Sequence, residues 1–371
     1  MNKLLGIVIV ASLTTLFFHM PYHPLQAQQK VKFAMVGLSH GHSPWFFEWG
    51  QQEDMDLVGV YEPNPELLER FKQRYQLDDE IIYDDLNAML DEQEPEGILV
   101  FGPIFYHLEA VEAAAPKGIH VMVEKPLATT MGDAQKMADL AREHSIHLLT
   151  NYETSWYPST EKTYQLFSEM KDSFGIIRKM VFHHGHEGPK EIGVGPEFLD
   201  WLTDPKLNGG GALVDFGCYG ANMMTYLMHG EKPKTVMAIT KTYKPDIYPK
   251  VEDEATIIVD YGDAQGIIQA SWNWPFGRKD MEVYGTTGYV ITQDAENMRW
   301  RVKGEKEVSK ALKGTGIGGT RNPFEYFKRV IQGELTPEPF SPYTLENNLR
   351  VMEILEAAKQ SSKSGKKMIL K

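Results

Sequence analysis

The stretch Val121–Thr129 reads VMVEKPLAT, an apolar run that stops at Glu124, Lys125 and Pro126. The run has the character of a buried strand, and proline ends it because it brings no N–H to a ladder. The lysine that follows is either a solvated strand end or an ammonium group delivered to a site. The segments on either side decide the fold around it.

Upstream, VKFAMVG from Val31, DLVGVYEPN from Asp56 and EGILVFGP from Glu96 are strand-like; IHLLTNY from Ile146 follows downstream. Between them SPWFFEWGQQ, PELLERFKQRYQ, YHLEAVEAAAPKG and MGDAQKMADLAREHS carry helical spacing. Strands alternating with helices predict an α/β domain with a doubly wound parallel sheet over residues 28–151. After Trp156 the pattern changes to strand-like runs such as IIRKMVFHHGH, TVMAITKTY, ATIIVDYG, QGIIQASWNW, DMEVYGTTGYVIT and MRWRVKG. Several alternate as a sheet with one buried face does. With helices STEKTYQLFSEMKDS, GANMMTYLMHG and TLENNLRVMEILEAAKQSS, they predict a C-terminal α+β domain with an open, mostly antiparallel sheet over residues 152–371.

A length of 371 residues suits two domains rather than one core. The formal net charge of −13 argues against a nucleic-acid partner held by counterion release. Cys218 is the only cysteine, which excludes an intramolecular disulfide and a Cys-based zinc site. Residues 1–27 read as a signal peptide, with Lys3, an apolar run from Leu4 to Phe18 and a cleavage site after Ala27. That run is short for a membrane span, which needs ~20 residues, so the expected mature protein is exported, periplasmic and without a membrane span.

GLSHGHS, Gly37 to Ser43, follows the first strand and opens a helix. Glycines at such a turn let a backbone approach a pyrophosphate. The G-x-G-x-x-G spacing is incomplete, since Ser39 and His42 stand at the second and third glycine positions. Gly37, Ser39, His40 and Gly41 are the candidate cofactor contacts of the turn. Glu62 ends the second strand, where a carboxylate would accept ribose hydroxyls and repel a 2′-phosphate, so NAD is expected over NADP. Further on, GGGALVDFGCYGANMMTYLMHG from Gly209 sets Asp215 and Tyr219 four apart, on one helical face. A carboxylate and a phenol meeting a lysine can move a proton, and the lysine would lower the phenol pKa. The other reading makes Asp215 a helix cap and Tyr219 core. His184 and His186 share a strand face and, with Trp156, are candidate sugar contacts. A metal site among His183, His184 and His186 is the weaker reading, and no metal is expected.

The chain resembles the glucose–fructose oxidoreductase and inositol dehydrogenase family (Gfo/Idh/MocA). Glu124-Lys125-Pro126 matches its E-K-P tripeptide. Gly210, Gly211, Ala212, Asp215, Gly217 and Tyr219 match its Gly-Gly-Ala…Asp-x-Gly-x-His/Tyr segment, and Pro103 and His107 its T-P-x-x-x-H strand end. The resemblance implies a Rossmann-type NAD-binding domain, with Glu124, Lys125, Pro103 and His107 around the cofactor and Lys125 beside the substrate hydroxyl. It also implies a possible homo-oligomer through the C-terminal sheet. Tyr219 stands where many members have His, Asn222 replaces a common Asp, and Thr154 and Ser155 fall where an Arg is frequent. The expected function is NAD-dependent oxidation of a sugar or glycoside, with Lys125, Asp215 and Tyr219 catalytic. Because free NAD is scarce outside the cytoplasm, two alternatives stand beside it. One is a glycoside hydrolase that keeps its NAD and oxidises C3 transiently; the other is a sugar-binding protein with a vestigial cofactor site.

Overall fold

The computed structural model describes residues 30–370. The signal-peptide reading lies outside the described residues.

The first sheet holds β1 (Val31–Val36), β2 (Met55–Tyr61), β3 (Ile82–Tyr83), β4 (Gly97–Val100), β5 (His120–Glu124) and β6 (Leu148–Asn151). All pairs are parallel, in the order β3-β2-β1-β4-β5-β6. Helices cover both faces, so β4 is buried throughout and reads as an unbroken apolar run, and β1 is buried except for Lys32. The order reverses beside β1, and the crevice at the C-terminal ends of β1 and β4 is the usual ligand position of such sheets. Gly37, just past β1, has φ +77°, and a Cβ there would lie 2.6 Å from the Gly102 nitrogen past β4. Only glycine lets the two strand ends meet this closely.

The second sheet contains β7 (Ile177–Gly185), β8 (Thr235–Lys241), β9 (Glu254–Asp260), β10 (Gln265–Ser271), β11 (Arg278–Gly285), β12 (Gly288–Thr292), β13 (Asn297–Val302), β14 (Val308–Ala311) and β15 (Met368–Ile369). Its order is β14-β13-β12-β11-β7-β10-β9-β8-β15, antiparallel except for β7 beside β10. The helix Gly217–Leu227 lies against its inner face, under the long helix Leu345–Ser364. Covered on both sides, all eleven of its residues are buried, which is why its sequence is apolar all round. On the outer face Met237, Ile239 and Ile258 are exposed.

The elements not read from the sequence pattern include the helix Leu86–Gln93, β14 and three others. β3 has two residues, too few for a period. The helix Pro196–Leu202 brings Phe198 and Trp201 against His40 of the glycine turn. The helix Pro323–Ile331 returns to the first sheet, where Phe327 packs 5.6 Å from Phe33 and Lys328 bonds Asp54. Among the described residues no helix is long and apolar enough to cross a membrane.

Candidate active site

β5 delivers Glu124 and Lys125, both buried, at the C-terminal edge of the parallel sheet. Lys125 Nζ lies 2.5 Å from Asp215 Oδ1 and donates to the Asp215 carbonyl at 3.3 Å. The Trp272 indole N–H donates to Asp215 Oδ2 at 2.9 Å. Asp215 ends the short helix Ala212–Asp215, and no side chain caps the helix that follows. Its carboxylate therefore serves Lys125, not a helix end. Burial works against both charges, but their mutual attraction prevails. Asp215 is held below the usual carboxylate range and Lys125 above the usual ammonium value.

Tyr219 is 1% exposed, with Lys125 Nζ 5.2 Å and Lys279 Nζ 5.3 Å from its ring centre. Burial pushes its hydroxyl well above the ordinary tyrosine range, and Glu153, Glu124 and Asp215 add to the push. This corrects the expectation that Lys125 lowers the phenol pKa. The ammonium stands over the ring and makes its short contact with Asp215 instead.

The expected cofactor residues fall into two groups. Gly37, Ser39, Glu62 and Pro103 line one cleft of about 290 Å³ between the β1 and β4 turns. Glu62 is buried there and accepts the Leu38 N–H at 2.6 Å and the Asn64 N–H at 2.8 Å. Burial raises its pKa, and those two N–H groups partly reverse the shift. His40, Gly41 and His107 lie away from that cleft. His40 and Gly41 are packed against Phe198, and the Ser39 hydroxyl accepts the Trp201 indole N–H at 3.0 Å. His107 donates Nδ1–H to the Leu127 carbonyl at 3.1 Å, tying down the chain just after Pro126.

Of the expected sugar contacts, His184 is buried 5.5 Å from the Tyr219 ring. His186 lines a second cleft of about 290 Å³ with Tyr157, Arg278 and Lys279. Trp156 meets Trp45 edge to face at 5.4 Å. Trp201 and Trp272, by contrast, are core side chains that bond Ser39 and Asp215.

Sequence reasoning missed Lys279 and Glu153, and it read Trp272 as a sugar platform or core residue, not as the partner of Asp215. Lys279 on β11 pairs in register with His184 on β7, so both face Tyr219. Its ammonium bonds Glu153, just past β6. Burial would raise the Glu153 pKa, but Lys279 and His42 hold it down at about 2. Only the pairing of β11 with β7 sets Lys279 opposite His184, and no local pattern reports that register.

Residues 31–152 match the Gfo/Idh/MocA oxidoreductase family with its NAD-binding Rossmann fold, and residues 170–291 match the Gfo/Idh/MocA C-terminal domain. D-xylose 1-dehydrogenase [NADP(+)] of Haloarcula marismortui is 22% identical over 76% of this chain and 78% of its own. D-glucoside 3-dehydrogenase of Escherichia coli is 26% identical over half of each chain. The crystal structure of an inositol dehydrogenase homolog complexed with NAD+ from Azotobacter vinelandii superposes with a TM-score of 0.77. It is 18% identical, over 92% of this chain and 98% of that one. With both of its domains matched in sequence and the same fold found over nearly its whole length, the chain belongs to the Gfo/Idh/MocA oxidoreductase family.

Proposed function

We propose that the protein oxidises a hydroxyl of a sugar or glycoside with NAD. The observation that carries this reading is the buried Lys125–Asp215 pair beside Tyr219, at the sheet edge next to the Glu62 cleft. The names of the xylose and glucoside dehydrogenases it resembles support a sugar as substrate. The cleft between β1 and β4 fits the adenosine end of a dinucleotide, with apolar walls and a carboxylate at the second strand's end. When bound, the nicotinamide supplies the hydride acceptor. Lys125, kept charged by Asp215, donates a hydrogen bond to the reacting hydroxyl oxygen and stabilises the charge that develops there. Asp215 fixes the ammonium, and Trp272 fixes Asp215. Tyr219 keeps its proton and adds a second donor. The test is single-turnover reduction of NAD by a panel of glycosides, read at the nicotinamide absorbance. Keto-sugar formed with reduced cofactor supports the reading; no reduction by any sugar of the panel counts against it.

Glu62 leads to a cofactor preference. A 2′-phosphate would meet a buried carboxylate whose oxygens already hold the turn together. NAD is expected to bind at least about tenfold more tightly than NADP, about 1.4 kcal/mol. Titration of both nucleotides checks this, and equal or tighter NADP binding removes the ribose role from Glu62.

Export belongs to the same proposal and rests on the composition of residues 1–27. Sequencing the N-terminus of protein from the extracytoplasmic fraction should give Gln28. A retained Met1 contradicts it.

A further inference from the structure

The cleft beside Glu62 ends at Ser39, and what closes it comes from the other domain. The Ser39 hydroxyl lines the cleft and also accepts the Trp201 indole N–H at 3.0 Å. Trp201 belongs to the helix Pro196–Leu202, which leads into the glycine run at 209–211 and then to Asp215. On the same helix Phe198 packs against His40 at 4.7 Å, and a Cβ at Gly41 would lie 3.3 Å from the Phe198 ring. Glu197 pairs with Arg70 of the helix Pro65–Tyr75. The chain then turns to β4. The Leu207 carbonyl accepts the Phe105 N–H at 3.0 Å, and Lys206 Nζ stands 4.8 Å from the centre of the Phe105 ring. Residues 196–209 therefore reach from the turn after β1 to the turn after β4, across the crevice at the ends of those strands.

The groups on either side of this segment are fastened without it. Ser43 Oγ donates to the Leu38 carbonyl at 2.7 Å, and His42 Nδ1 lies 3.1 Å from Glu124 Oε1, so the glycine turn is held from below. Past the segment, Glu252 Oε1 accepts the Gly211 N–H at 2.8 Å and the Leu213 N–H at 3.1 Å. The helix that carries Asp215 thus has its own anchor. Gly209 joins the segment to that anchored part with φ +86°, a conformation that glycine takes without strain. Trp201 and Leu202 are buried, so the segment is seated. Its hold on the two turns is nonetheless a few hydrogen bonds, one ion pair and ring contacts, which can open locally while both cores stay folded.

We propose that residues 196–209 are a strap that closes over bound NAD and sets how fast it enters and leaves, an inference that rests on the NAD reading of the crevice above. The adenosine end belongs to the Glu62 cleft and the nicotinamide end to Lys125, and the strap crosses the glycine turn between them. A dinucleotide that spans the two passes under Phe198 and Trp201 and exchanges only when they lift. NADH formed in one turnover stays in place until then, so strap opening limits cofactor exchange.

The test reads nucleotide exchange, without any sugar. Mixing NADH-loaded protein with excess NAD, and following the fluorescence of bound NADH, gives the release rate. Mixing NADH with protein stripped of nucleotide gives the entry rate. Phe198→Ala and Trp201→Phe are each expected to raise both rates about tenfold, with Kd within about threefold. A strap governs entry and exit alike, whereas a side chain that only touches the nucleotide changes release and leaves entry as it was. Arg70→Ala removes an exposed ion pair at the edge of the strap and should raise both rates about two- to fivefold. It keeps the question answerable if a strap variant fails to fold. Exchange as fast in the parent as in the variants, or faster release with unchanged entry, overturns the strap. A parent that binds no NADH at equilibrium instead overturns the NAD reading, and the strap falls with it.

Discussion

Lys125→Ala is expected to lower turnover ~10²–10⁴-fold, roughly 3–5 kcal/mol of barrier, while weakening sugar binding far less. In the proposed reaction the ammonium is one of two groups that meet charge as it develops on the reacting oxygen, and Lys125 is buried, where water cannot substitute. Tyr219→Phe should give a smaller loss in the same direction. It removes one hydroxyl and keeps the ring that packs against Tyr152 at 5.4 Å and His184 at 5.5 Å. Lys125→Arg should rescue poorly. A planar guanidinium cannot reproduce the single compact contact to Asp215 Oδ1 without displacing Trp272 or Tyr219. Single-turnover rates, with sugar affinity measured separately, decide the matter. Variants that bind and turn over like the parent would make Lys125 and Tyr219 structural.

The core of this site was legible because its members lie in short, locally patterned segments. Lys125 sits between an apolar strand and a proline, and the four-residue spacing of Asp215 and Tyr219 survives the break at Phe216 between two helices. Glu62 was legible as the last residue before a turn. What stayed hidden depends on register between distant strands. Lys279 looks like one charge in a polar turn until β11 pairs with β7 and sets it opposite His184. Glu153 gains its meaning only from Lys279, and Trp272 only from Asp215. His42 was read as a lost glycine; its partner Glu124 lies on the other side of β4 in the sheet, beyond any local pattern. The direction of the Tyr219 shift was misjudged for a related reason. Spacing places a lysine near a phenol, but burial, which spacing does not report, decides the sign.

Asp215→Asn is expected to cost about 3–5 kcal/mol of stability near neutral pH, because it leaves the Lys125 charge buried without its counter-charge. An asparagine carbonyl could still accept the Trp272 indole N–H, so the loss reports mainly on the ammonium. The pH dependence has a definite sign. Asp215 has a folded pKa below its unfolded one, so its contribution is present above the unfolded value and disappears as pH falls through the folded one. Lys125 has a raised folded pKa, so its contribution is present below the unfolded value and is lost only as pH rises through the higher folded one. The gap between parent and Asp215→Asn should therefore be wide from neutral to mildly alkaline pH and shrink in acid. Removing both charges, with Lys125→Met and Asp215→Leu together, should cost less than the two single changes added, since neither charge is then stranded. Urea unfolding of the parent, Asp215→Asn, the two single variants Lys125→Met and Asp215→Leu, and their double variant at neutral and acid pH measures all of this. Equal stability of parent and Asp215→Asn at neutral pH would mean that Lys125 finds water when Asp215 is gone. The pair would then not be the closed, dehydrated unit on which the catalytic role of Lys125 depends.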